Sequence, residues 1–117
     1  MKIYEVKDIL KATLLTGEGQ LDRTVTGAGG ADIMEAFLAA AAKDAVILTG
    51  LTNDDVIHTA KVADVGAVVF VRGKKPQDST IKLARSFDVV TMTTDCSLFV
   101  ASGKLYMNGL RGLDGSW

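Results

Sequence analysis

Three stretches in the middle of the chain share one rhythm. AVILTG (45–50), AVVFVRG (67–73) and VVTMTTD (89–95) are short runs rich in β-branched residues, without the apolar–polar alternation of a half-wetted sheet. Runs of this kind suit strands buried on both faces. Each meets turn residues and then a segment with helical spacing: LTNDDVIHTAKVAD, KKPQDSTIKLARSFD and CSLFVASGKLYMNGL. Strand followed by helix over short links predicts parallel strands joined by right-handed crossovers. The expectation is one three-layer α/β/α domain over 1–117 with a mostly parallel central sheet. Residues 46–48, 68–71 and 89–92 should be adjacent, nearly fully buried central strands.

The flanks carry weaker patterns. Residues 4–11 read as a short first helix, and ATLLT (12–16) and TVTG (24–27) as lesser strand candidates. Residues 32–42 read as an alanine-rich helix with Ile33, Ala36, Phe37 and Ala40 on one face. The tail RGLDGSW, from about residue 111 to 117, has the composition of a frayed end. Helix starts are marked by Thr52 ahead of Asp54 and Asp55, by Pro76 as a first-turn residue, and by Thr94 or Asp95 as a cap.

The glycine cluster in LDRTVTGAGGAD (21–32) invites comparison with a phosphate-binding loop. A dinucleotide fingerprint needs G-x-G-x-x-G so that backbone N–H groups meet the pyrophosphate. Here Gly27, Ala28 and Gly29 begin that spacing, but its sixth position is Asp32, an anion. No G-x-x-x-x-G-K-[ST] loop occurs, so phosphoryl transfer lacks its positioning groups. The cluster is expected to be a structural turn, and no serine kinase activity is expected.

Composition narrows the partners. With 48% hydrophobic residues and one Pro in 117, the chain reads as globular. A net charge of −1 and 6% aromatic residues do not suggest nucleic-acid binding. The opening MKIYEVKDIL lacks a signal-peptide core and no run reaches membrane-spanning length, so a cytoplasmic protein without membrane association is expected. Cys96 and His58 are each single, which leaves no internal disulfide and no Cys/His metal site. No cofactor is implied.

The segments LDRTVTG, AVILTGLTNDDVIHTAKVADVGAVVFVRGKKP and FDVVTMTTDCSLFVASGKLY together resemble the DRTGG domain, over about residues 4–110. The family's named positions fall on Asp22, Arg23, Thr49, Gly50 and Gly73. That domain is similar to the N-terminal domain of HPr kinase/phosphorylase and to a middle segment of long phosphotransacetylases, and it occurs beside CBS domains. Standalone copies occur in anaerobic prokaryotes, some encoded near iron hydrogenase genes. The resemblance implies a regulatory or ligand-sensing role, and it brings no kinase chemistry, because the kinase's nucleotide loop lies in a separate domain.

In a parallel sheet, ligands sit outside the carboxyl ends of the strands. That edge gathers Thr49, Gly50, Arg72, Gly73, Lys74, Lys75, Thr93, Thr94 and Asp95, whereas the opposite rim receives KVADVG and ARSFDV. The cations and hydroxyls suit a small anionic metabolite or nucleotide, with Arg23 as a further candidate at the same edge. A purely local reading of the same residues is a solvated turn, helix caps and fold-fixing contacts of Asp22 and Arg23. No catalytic residues are assigned: the carboxylates form no acid/base pair at a diagnostic spacing. Cys96 reads as a small hydrophobe with a reactive thiol as the alternative, and His58 as a solvated residue opposite Val56, Ala60 and Ala63. The expected function is therefore a non-catalytic regulatory or sensor module. Its rivals are a protein–protein adaptor, for which the resemblance suggests a hydrogenase-type redox complex, and a small enzyme. The apolar content of SLFVASGKLYMNGL, with Phe99, Val100, Leu105, Tyr106 and Met107, raises homodimerisation as an expectation.

Overall fold

In chain order the elements are α1 (Ile3–Leu10), β1 (Thr13–Thr16), a 3-10 turn (Glu18–Gln20), β2 (Gly27–Gly30), β3 (Ala45–Thr49), α2 (Asp54–Ala63), β4 (Ala67–Phe70), α3 (Asp78–Ser86), β5 (Thr91–Thr93), α4 (Leu98–Met107) and β6 (Arg111–Gly112). They are seen in a computed structural model that describes residues 1–32, 34 and 42–113. The alanine-rich helix expected over 32–42 lies almost wholly outside the described residues.

The strands form one six-stranded sheet in the order β1-β5-β4-β3-β2-β6. β1 runs antiparallel to β5, and every other pair is parallel. The three apolar runs are β3, β4 and β5, adjacent and buried as their composition requires. Their side chains alternate between two cores. Val46, Leu48, Val69 and Met92 meet Ile3, Val6 and Leu10 of α1 and Ala101 and Leu105 of α4. Ile47, Val68 and Phe70 meet Val56, Ile57 and Ala60 of α2 and Ala84 of α3. The sheet is thus sandwiched by helices on both faces, the three-layer arrangement that strands without polar alternation demand.

Two expectations about backbone are corrected. The glycines at 27–30 are not a turn but strand β2, paired in parallel with β3 on one side and β6 on the other. Glycine has little strand preference of its own, and here its missing side chain serves packing: a Cβ on Gly30 would lie 2.7 Å from Leu98 Cδ1. Likewise the tail does not fray at residue 111, because Arg111 and Gly112 extend the sheet beside Gly27 and Ala28; residues 114–117 lie outside the described residues.

The helix starts also differ in detail. Asn53, not Thr52, occupies the cap of α2, and Gln77 that of α3; neither side chain closes a cap hydrogen bond. Pro76 precedes α3 instead of standing in its first turn. Ser97, not Thr94 or Asp95, caps α4, its Oγ accepting from the Val100 N–H at 3.2 Å.

At the other end of the sheet the same local device recurs three times. Asp44, Asp64 and Asp88 precede β3, β4 and β5 with φ of 59°, 54° and 57°. A short polar side chain tolerates this left-handed conformation better than most, and at Asp64 and Asp88 it lets the chain swing sharply from α2 into β4 and from α3 into β5.

Candidate functional site

The connections leaving β4 and β5 define the place of interest. α3 packs in one core and α4 in the other, so adjacent parallel strands send the chain to opposite faces of the sheet. In open α/β sheets such a switch point, at the strand carboxyl ends, is where ligands bind. The loop after β4 here is RGKKP, residues 72–76. Arg72 and Gly73 both take the left-handed conformation, at φ 58° and 68°. Their amides are committed: Arg72 N–H donates to Cys96 O at 2.8 Å and Gly73 N–H to Thr94 O at 2.7 Å. Thr93 Oγ1 donates to Lys74 O at 2.6 Å. The crevice is therefore laced together at backbone level, and the chemistry it offers is that of side chains. Arg72, Lys74 and Lys75 are exposed, and none of them forms an ion pair with another described residue.

Next to this loop, Thr49 and Gly50 end β3. Asp32, arriving from β2, accepts from Thr49 Oγ1 at 3.2 Å and from Gly50 N–H at 3.1 Å. The Thr49 hydroxyl also accepts from Leu51 N–H at 3.1 Å. The Arg72 guanidinium folds over Gly50: a Cβ there would lie 2.9 Å from Arg72 Nη2 and 3.8 Å from Asp32 Oδ1. A side chain at position 50 would displace the guanidinium from this place.

Thr94 takes a different position. It is buried, donates to Leu10 O at 2.7 Å and accepts from Cys96 N–H at 3.2 Å, which ties α1 to the β5–α4 loop. An open depression of about 470 Å³ adjoins the same edge, lined by Thr52, Asn53, Asp54, Asp55, Gln77, Ser79 and Thr80. The starts of α2 and α3 face each other across it, joined by Thr80 Oγ1 donating to Asp54 Oδ1 at 2.6 Å. In the sequence Asp32 reads only as the anion that breaks a phosphate-loop spacing, and Asn53 and Gln77 are not singled out. Their polar side chains just ahead of helical spacing are the available sequence signal for the last two.

Arg23 is not at this edge. Its guanidinium contacts Asp44 Oδ1 at 2.8 Å, Asp64 Oδ1 at 3.3 Å and Asp64 O at 3.1 Å. Both aspartates precede strands, so Arg23 lies at the amino rim, about 16 Å from the carboxyl ends at ~3.3 Å per strand residue. The expectation that it shares an edge with Arg72 is corrected. Gln20 Nε2 donates to Asp88 O at 2.7 Å, so one loop stitches all three left-handed aspartate corners. The five positions on which the resemblance rests thus divide: Asp22 and Arg23 belong to the amino-rim segment, and Thr49, Gly50 and Gly73 to the carboxyl rim.

Among the described residues, no three His, Cys, Asp or Glu side chains gather as a metal site would require. Cys96 is half-buried, its Sγ 4.0 Å from Leu10 O. His58 is exposed on α2 and meets the Phe87 ring edge-on at 5.6 Å between centroids. No described helix is long and apolar enough to cross a membrane.

Fold and topology together define an α/β/α domain with a DRTGG-like fold. The comparison that carries this is with a solved structure, the CBS and DRTGG domains of the regulatory region of Clostridium perfringens pyrophosphatase in complex with its activator, diadenosine tetraphosphate. The superposition has a TM-score of 0.76 at 16% identity, covering 97% of this chain and 48% of that one. The chain therefore spans about half the length of that regulatory region, and at this identity the likeness is one of fold. The sequence matches no family model and no curated protein.

Proposed function

We propose that this chain is a non-catalytic regulatory module that binds a small anionic metabolite or nucleotide at the carboxyl rim of its sheet. The observation that carries the proposal is the position of Arg72, Lys74 and Lys75: three exposed cations, without ion-pair partners among the described residues, at the switch point between β4 and β5. The similar pyrophosphatase region is regulatory and was solved with a nucleotide activator, which fits the same class of role. Asp54 and Asp55 hold negative charge at the start of α2, while Asp32 and Asp95 reach the basic loop itself, with Asp32 Oδ1 beside the Arg72 guanidinium over Gly50 and Asp95 Oδ1 against Gly73. An anion would therefore sit on the outer side of the loop, away from these carboxylates, between the Arg72 guanidinium and Lys74 and Lys75.

Because the amides of Arg72 and Gly73 are already bonded, recognition rests on the guanidinium fork and two ammonium groups. That favours charge and bidentate geometry over shape. The reading assigns no reaction to the chain, and it implies a reduced, cytoplasmic setting. A thermal-shift panel of nucleotides, acyl phosphates and sugar phosphates tests it on wild type and Arg72→Ala. An adaptor role is the second reading, favoured by the exposed apolar face of α4. A hydrogenase-type partner would then be sought by co-purification.

A further inference from the structure

Helix α4 buries Ala101 and Leu105 and turns Phe99, Val100, Tyr106 and Met107 outward; Phe99 is 87% and Met107 86% exposed. Its ten residues carry one charge, Lys104. Phe99, Gly103 and Met107 are four residues apart, so they form one ridge along the helix surface. Gly103 stands at its centre. A glycine is disfavoured in a helix interior, and no described residue explains this one, because a Cβ there would meet no described atom within 4 Å. Gly30 and Gly66 are different: a Cβ on either collides, with Leu98 and Val25 respectively.

We propose that α4 is a self-association face. Two copies cross their α4 helices antiparallel about a two-fold axis at Gly103, which lets the backbones approach closely. The ridge is symmetric about that point, so Phe99 of each copy meets Met107 of the other, a favourable sulfur–aromatic pairing. This self-complementarity is what a two-fold interface requires. The four exposed side chains offer roughly 500 Å² per chain, given 150–250 Å² for a large aromatic. Pairing removes about twice that before flanking residues are counted, close to the ~1,200 Å² lower bound of a specific interface. With Lys104 as the helix's only charge, pairing gathers no like-charge cluster at its centre. The proposal is independent of the ligand reading.

Sedimentation of the full chain from about 5 to 200 µM tests it. The expected result is a dimer in wild type and a monomer in both Phe99→Glu and Gly103→Gln, with unchanged far-UV circular dichroism. Gly103→Gln should melt no lower than a monomeric Phe99→Glu chain, because the position is open and glycine is the poorer helix former. In a Cys96→Ala background, Gly103→Cys should oxidise to a covalent dimer, since Cα atoms on the axis come within disulfide range, about 4.4–6.8 Å. A monomeric wild type across the range would assign the face to some other partner and overturn the proposal. So would a dimer that Phe99→Glu leaves intact, or one that Gly103→Cys fails to cross-link.

Discussion

Arg23 closes the amino rim with one side chain. Its fork joins Asp44 and Asp64, two left-handed corners 20 residues apart in sequence (64 − 44) that precede neighbouring strands. Hydrogen bonds to charged groups contribute about 1.5–3 kcal/mol when protected. Partial exposure reduces this, so Arg23→Ala should cost about 1–2 kcal/mol in urea unfolding. Arg23→Lys should recover little, because an ammonium group cannot bridge both carboxylates as a fork does. A loss below about 0.3 kcal/mol, the behaviour of an ordinary surface pair, would contradict this account. Gly50 poses the opposite case. Gly50→Ala meets only the mobile end of Arg72, so stability should change little while the guanidinium is displaced. The variant should keep its melting temperature and lose response to whatever anion Arg72 holds.

Among the elements, legibility followed side-chain chemistry. β3, β4 and β5 were readable because a buried parallel strand must be an apolar run, and few other structures tolerate one. β2 was not, because GAGG carries no pattern at all. Its strand form is imposed by neighbours: it is hydrogen-bonded between β3 and β6, and close packing of α4 demands a bare backbone at Gly30. Helix caps were only half legible, since Thr52 and Asn53, or Thr94, Asp95 and Ser97, all qualify chemically and chain direction selects among them. The partners of Arg23 were illegible for the same reason, as no local spacing links residue 23 to 44 and 64. The packing claim for β2 has a direct check. Gly30→Ala should destabilise by about 1–3 kcal/mol through overpacking. Combined with Leu98→Ala, which empties the same space, it should cost clearly less than the two single changes added. Strict additivity would show that the glycine is not there for Leu98. Hydrogen exchange should likewise find the amides of β3 and β4 most protected and those of the two-residue β6 least.

For the whole molecule, the two rims have divided labour. The amino rim is stitched by Gln20 and Arg23 onto the three aspartate corners, with Arg23 paired to Asp44 and Asp64 and Gln20 bonded to the Asp88 carbonyl. The carboxyl rim is laced at backbone level, yet Arg72, Lys74 and Lys75 stay exposed where α3 and α4 leave on opposite faces. The decisive measurement is the melting temperature of wild type and Arg72→Ala across a panel of nucleotides, acyl phosphates and sugar phosphates. A ligand at about a hundred times its dissociation constant stabilises the folded state by ~2.7 kcal/mol, which for a chain of this length is a rise of several degrees. The account predicts such a rise in wild type for at least one anion class, and its loss in an Arg72→Ala chain that melts normally without ligand. No shift in wild type, or an equal shift in both proteins, would contradict a binding site at this rim.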